Sequence, residues 1–259
     1  MSDSAKWKAV WDERFDRHVS DHQVDRGTRP RRQETESLSS EELLGFIDPA
    51  PGDVVFDAGC GTGANILLLQ SRVKRMVEMD YSIGAVMRCR NRMHSLEASN
   101  VDLLQGDVTH LPVPQESVDM ILCMSVLHYL DDEEVRQSFS EFSRILSKNG
   151  TVILHVKNFT SLYVSTLWLA KQVKVLLRRS GRVNEHYRSF GWYVRELERC
   201  GFRVVSYNSF NLLTIEFMPR AVLEFLQGWE LRHRSEFPMR TAFLRRRGAD
   251  LKIKAQRVV

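Results

Sequence analysis

The sequence predicts an α/β fold on a parallel sheet covered by helices, and three observations lead there. Between residues 53 and 156, short apolar runs alternate with helical stretches of the length that βαβ crossovers need. The run DVVFD at 53–57 stops at glycines, as a buried parallel strand does. Gly201 then ends a helical stretch and opens the β-rich FRVVSY.

Taken in order, the first 22 residues place Trp7, Val10, Trp11, Phe15 and Val19 at helical spacing. The polar tract 21–37 lacks periodicity and reads as a linker. Ser39 and Glu42 have capping-box spacing for a short helix ending before Pro49. Strands follow at 53–57, 75–79, 101–105, 118–124 and 151–156, with helices at 64–72, 83–95 and 132–147. Asp131 and Glu134 cap the last of these, whose Val135, Phe139, Phe142 and Leu146 form one apolar stripe. Beyond 156 come helix 161–178, helix 189–200, strand 202–209, a mixed segment 211–248 and a final strand 249–258.

The 259 residues suffice to bury a core without disulfides or metal, and 43% hydrophobic with 27% charged residues excludes disordered and collagenous classes. Four cysteines without a CxxC pair, no apolar leader and no uncharged 18-residue apolar stretch point to a cytoplasmic protein. The net charge of +4 is unevenly spread. Residues 1–150 carry 17 basic against 25 acidic side chains, and residues 151–259 carry 20 against 8. The second half therefore suits an anionic acceptor or membrane surface, although a solvated basic face also accounts for it.

The segment VVFDAGCGTGA at 54–64 sits where a strand meets a helix. Gly59, Gly61 and Gly63 let the backbone turn tightly and approach a ligand. The segment also satisfies G-x-G-x-x-A, so a dinucleotide and another adenosine ligand both remain open. Asp80 ends the second strand, where a carboxylate can accept both ribose hydroxyls. Asp107 ends the third, placed to accept from an adenine amino group or merely to cap its loop. Glu78 is a second acid near the ribose position.

With Asp57-Ala-Gly-Cys-Gly-Thr-Gly63, Asp80, Gly106-Asp107, the run 111–119, Ser125-Val-Leu-His-Tyr-Leu130 and Ser147-Lys-Asn-Gly150, the chain resembles class I S-adenosylmethionine-dependent methyltransferases over residues 45–158. The resemblance implies a Rossmann-like, seven-stranded, mostly parallel sheet with an antiparallel last strand. It also implies S-adenosylmethionine as cofactor. Gly59, Gly61 and Gly63 would border its methionine and ribose, Asp80 would hold the ribose hydroxyls, and Asp107 with the Val108 backbone the adenine. Asp57 would lie below the amino group, with Ser125 completing the cofactor site. No metal is implied. Residues 1–36 would form a helical cap and linker, its Trp7, Trp11 and Phe15 shielding the cofactor or serving ordinary packing, and 37–259 the methyltransferase domain. Segments 157–190 and 211–248 would shape the acceptor pocket.

The expected reaction is methyl transfer, most simply to oxygen of a small or lipid-like, anionic molecule. His128, His155 and His186 are the candidate bases, and structural packing is the alternative for each. Apolar and basic residues mixed through 161–182 suit a membrane interface or a lid over an apolar acceptor. Nucleic acid is disfavoured, since no recognition helix or stacking platform is apparent. His18 and His22 lack a third ligand at metal spacing. A nicotinamide-dependent oxidoreductase and a non-catalytic adenosyl-ligand-binding partner protein are the competing readings.

Overall fold

The computed structural model describes residues 3–17, 33–161, 164–165, 168–169, 185–210, 222, 225–226, 229, 246 and 248–258. The elements are α1 (Asp3–Arg17), α2 (Gln33–Ile47), β1 (Val54–Ala58), α3 (Ile66–Leu69), β2 (Arg75–Asp80), α4 (Ile83–Ser95), β3 (Val101–Gln105) and β4 (Val118–Met124). A 3-10 turn at Leu127–Tyr129 precedes α5 (Asp132–Ile145), β5 (Leu146–Lys157), α6 (Phe190–Arg199), β6 (Phe202–Phe210) and β7 (Asp250–Arg257).

Seven strands form one sheet in the order β3-β2-β1-β4-β5-β7-β6. The first five pair in parallel. β7 inserts antiparallel between β5 and β6. The chain thus reverses direction in the sheet at β4, and in open parallel sheets such a switch point marks the ligand crevice.

Alternation along β1 feeds both faces. Phe56 and Ala58 join a core with Val135, Phe139 and Phe142 of α5 and Tyr193 and Leu197 of α6. Val55 joins Ile47, Ile66, Leu69, Met76 and Cys89 on the other side. The Asp131 capping box is formed: Oδ1 accepts from the Glu133 and Glu134 amides, each at 2.9 Å, and Glu134 Oε2 accepts from the Asp131 amide. All four cysteines are free thiols. No helix among the described residues is long and apolar enough to cross a membrane.

Several boundaries differ from the sequence reading. The helix starts at Gln33, not at a cap on Ser39, because Gln33, Glu34 and Glu36 favour helix and no breaker intervenes. The expected helix 64–72 shrinks to Ile66–Leu69. Asn65 at its start makes no capping bond, its side chain being committed to Asp57. α5 stops at Ile145, and β5 begins at once with Leu146 pairing Val118. The helix expected at 161–178, the segment 211–248 and His18 with His22 lie wholly or largely outside the described residues.

Phe142 is fully buried in the core beneath α5. Phe142→Ala should therefore lower unfolding stability by about 3–5 kcal/mol through lost transfer energy and a cavity. Urea unfolding monitored by circular dichroism measures this, and a change under about 1 kcal/mol would contradict the packing described.

Candidate active site

Parallel pairing of β1 with β2 fixes the glycine loop at the carboxyl edge of the sheet. The Met79 carbonyl accepts from the Gly59 and Cys60 amides at 2.8 and 3.0 Å. Gly59, Gly61 and Gly63 have φ of +86°, +57° and +76°, values that side chains other than glycine's seldom tolerate. Space is equally restrictive: a Cβ on Gly59 would lie 2.2 Å from Val126 Cγ2.

Asp80 is bonded into this turn. Its Oδ2 accepts from the Gly61 amide at 2.9 Å and Oδ1 from the Ser82 amide at 2.9 Å. Each oxygen retains a second acceptor site. Burial raises the Asp80 pKa against those backbone donors. At the next strand tip, Asp107 Oδ1 accepts from the Thr109 amide at 2.9 Å and its hydroxyl at 2.8 Å. The loop-capping role weighed for Asp107 is therefore present, with Oδ2 as its other acceptor; Val108 is buried beside it.

Asp57 lies beneath the loop with no exposed surface. Asn65 Nδ2 donates to Oδ2 at 2.7 Å, and Oδ1 is buried without a hydrogen-bond partner. Burial, opposed by Asn65 and assisted by the Asp80 charge, pushes its pKa up to about 7. Glu78 is also fully buried, both oxygens without a hydrogen-bond partner, and lies with the Cys60 and Cys89 thiols within 4.8 Å. Burial and the Asp57 charge raise its pKa well above the usual value. Asp80, by contrast, ends the strand and is only partly buried.

α1 packs across this edge. Ser82 donates from Oγ to Asp12, and Arg88 Nη2 donates to the Phe15 carbonyl at 2.9 Å. Trp7 and Trp11 rest on the Tyr129 ring, with centroids 4.4 and 5.5 Å away. Phe15 sits against Gly84, where a Cβ would come within 2.7 Å of it.

The three histidines gather near the ends of β4 and β5 in unequal settings. His128 is 4% exposed with Nδ1 lacking a hydrogen-bond partner, and burial lowers its pKa to about 3, keeping the ring neutral. His155 is partly exposed and contacts Ser125 Oγ through Nδ1 at 2.8 Å. The His186 amide donates to the His128 carbonyl at 2.7 Å. Ser125 has φ +63°, a conformation uncommon outside glycine, asparagine and aspartate.

Two residues here escaped the sequence reading. Arg188 is 6% exposed and donates to the Leu127 carbonyl at 2.9 Å, the Leu130 carbonyl at 2.7 Å and Asp132 Oδ1 at 2.7 Å. It fastens the residues before α6 to the turn after β4. Asp250, first residue of β7, neighbours both Lys157 and His155. No single segment carries a signal for Arg188, since its partners are distant in sequence.

Folded Asp57 holds its proton up to about pH 7, whereas an unfolded aspartate releases it near ~3.9. Between those values the folded chain binds the extra proton, so this group's contribution to stability falls as pH rises. Asp57→Asn removes that dependence. The variant's stability relative to wild type should grow from about pH 4 to about pH 7, as read by urea unfolding, and a flat difference would refute the assignment.

Known proteins share these features. The family described as "Methyltransferase domain" matches residues 55–150. Malonyl-[acyl-carrier protein] O-methyltransferase of Serratia marcescens is 29% identical over 113 residues, 44% of this chain and 42% of that protein. The mouse protein named probable tRNA methyltransferase 9B is 29% identical over 189 residues, 68% of this chain and 40% of its own length. The chain thus spans less than half of either relative. Magnesium protoporphyrin IX methyltransferase from Synechocystis PCC 6803, solved with bound SAH, shares the fold: TM-score 0.65, 17% identity, 98% of this chain and 99% of that one covered. Residues 55–150 thus carry a methyltransferase domain, and the strand order completed by an antiparallel β7 is the fold shared with the Synechocystis methyltransferase.

Proposed function

We propose that this chain transfers a methyl group from S-adenosylmethionine to an oxygen of a small or lipid-like, anionic acceptor. The observation that carries the reading is the glycine turn with three positive φ values, bonded through Gly61 to the strand-tip acid Asp80. In this reading Gly59, Gly61 and Gly63 border the methionine and ribose, and the spare acceptor sites of Asp80 take the ribose hydroxyls. Asp107 Oδ2 and the Val108 backbone receive the adenine, and Ser125 borders the reactive side. The unpartnered Oδ1 of Asp57 supplies a negative pole behind the loop for the ammonium group. When bound, the cofactor supplies a methyl already activated on a sulfonium.

The chain's own part is alignment, exclusion of water and removal of a proton from the acceptor. α1, with Trp7, Trp11 and Phe15, covers the cofactor side. Among the histidines His155 suits the proton best, being partly exposed and bonded to Ser125. His128, held neutral with a pKa of about 3, is a weak base, and His186 remains a candidate from the acceptor side. The Serratia relative's name supports oxygen as the methylated atom, and the excess of basic residues after 150 supports an anionic acceptor. Segments 157–190 and 211–248 would shape its pocket, and the mixed apolar and basic composition of 161–182 supports contact with a membrane surface. Residues 1–36 then act as the cap and 37–259 as the transferase domain of a cytoplasmic enzyme.

Isothermal titration should show S-adenosylhomocysteine binding to wild type and at least a tenfold loss, about 1.4 kcal/mol, in Asp80→Asn. Binding of NADH without S-adenosylhomocysteine would overturn the reading in favour of an oxidoreductase. Methyl-tritiated S-adenosylmethionine added with the protein to fractionated extracts should label the small-molecule or lipid fraction. Label confined to RNA would replace the acceptor class, in keeping with the mouse relative's name. Cofactor binding with no labelled fraction would favour a non-catalytic partner. Anionic vesicles should pellet the protein more than neutral ones, and equal pelleting would remove the membrane contact.

A further inference from the structure

A line of polar side chains runs along the carboxyl edge of the sheet, from the end of β4 through β5 to β7. Ser125 Oγ lies 2.8 Å from His155 Nδ1, and His155 Nε2 lies 3.4 Å from Asp250 Oδ1. A second bond, from the Ser125 amide to the His155 carbonyl at 2.8 Å, fixes the serine to the histidine's own backbone. Ser125 is held at φ +63°, and strained backbone of this kind gathers at functional sites.

The register explains the third member. β7 runs antiparallel to β5, pairing Lys157 with Asp250 and His155 with Lys252. Asp250 therefore faces Lys157 directly and reaches His155 diagonally. Lys157 forms a short ion pair with Asp250 Oδ1. Burial alone would raise the Asp250 pKa, but the Lys157 charge and the His155 bond hold it well below the usual carboxylate range. An ionised carboxylate only accepts hydrogen bonds. A His155 proton on Nε2 would satisfy that acceptor and leave Nδ1 to accept from the Ser125 hydroxyl.

We propose that Ser125 and His155 form a proton relay to the methyl acceptor, and that Asp250 is its positioning residue. The proposal rests on the methyl-transfer reading given above. In the step, the acceptor's O–H bond breaks and its proton passes to Ser125 Oγ while the Ser125 proton passes to His155 Nδ1. The acceptor oxygen forms its bond to the methyl carbon, and the C–S bond breaks with its electron pair left on sulfur. The positive charge lost from the sulfonium reappears as a His155 imidazolium between Ser125 and the Asp250 carboxylate. The 3.4 Å His155–Asp250 separation suits a pair that tightens when that charge forms.

Two independent readouts test this on the full chain. The first is ring nitrogen NMR of histidine-labelled protein with S-adenosylhomocysteine, at about pH 8, where an ordinary imidazole is neutral. Wild-type His155 should be the Nε2–H tautomer, and Asp250→Asn should deplete that tautomer. A wild-type proton on Nδ1 would overturn the relay whatever the transfer activity. The second is the rate of tritiated methyl transfer into the extract fraction that wild type labels. Asp250→Asn and Ser125→Ala should each lower it about 10- to 100-fold, and Asp250→Asn should do so with S-adenosylhomocysteine affinity within about twofold of wild type. An unchanged rate in both variants overturns the relay. If wild type labels nothing, the methyl-transfer reading fails, and with it the relay's role, while the tautomer still decides its geometry.

Discussion

The site depends on the hydrogen bonds by which the β1–β2 pair continues past its own ends. The ladder runs from Val54↔Arg75 to Ala58↔Met79. The Met79 carbonyl then takes the amides of Gly59 and Cys60, and the Asp80 carboxylate takes that of Gly61. The loop is thereby an extension of the sheet, with the Gly59, Cys60 and Gly61 amides committed to β2. Such a loop has little conformational entropy left to lose on binding a ligand. The same acid also accepts from Ser82, which caps α4 and donates to Asp12 of α1. Strand tip, helix start and covering helix are therefore fastened around one carboxylate.

Beneath this rigid turn the chain keeps groups that a core would ordinarily exclude. Asp57 and Glu78 have no exposed surface, and three of their four carboxyl oxygens lack a hydrogen-bond partner. An unpaired buried polar atom is costly. The raised pKa values of both acids show the same cost from the side of protonation, because burial favours the neutral form. Departures from polar satisfaction concentrate at functional sites, and this one lies directly under the glycine loop. A cation arriving over the loop would favour ionised Asp57 and so recover part of the cost.

What could be read from the sequence was local. Helix 83–95 and strands 101–105 and 118–124 appear with the expected bounds, because each carries its periodicity and its end signals within its own residues. The Asp131–Glu134 box and the glycine turn are likewise short-range chemistry. The helix start at Gln33 was not legible, since Ser39 and Glu42 match a cap pattern that ordinary helix interiors also contain. Nor was Arg188, whose partners Leu127, Leu130 and Asp132 lie more than fifty residues away. Ser125 gives no sign of its left-handed backbone, nor of its two contacts with His155 on the neighbouring strand.

Asp250 shows why strand direction matters to the chemistry. In a parallel strand beside β5, only the last residues would reach the carboxyl edge where the loop and histidines lie. Antiparallel β7 delivers its first residue there instead. Its other end lies at the opposite edge, where Arg257 bonds to the Leu146 carbonyl and Glu116. The chain that follows β6 therefore re-enters the sheet at the candidate site. Residues just before β7 are drawn to the same edge: the Asn158 amide donates to the Ala249 carbonyl at 2.9 Å, and Asn158 Nδ2 to the Gly248 carbonyl at 2.9 Å. One inserted strand thus lets sequence nearly a hundred residues from His155 act on it, while the cofactor-side loop, built from β1 and β2 alone, stays independent of that choice.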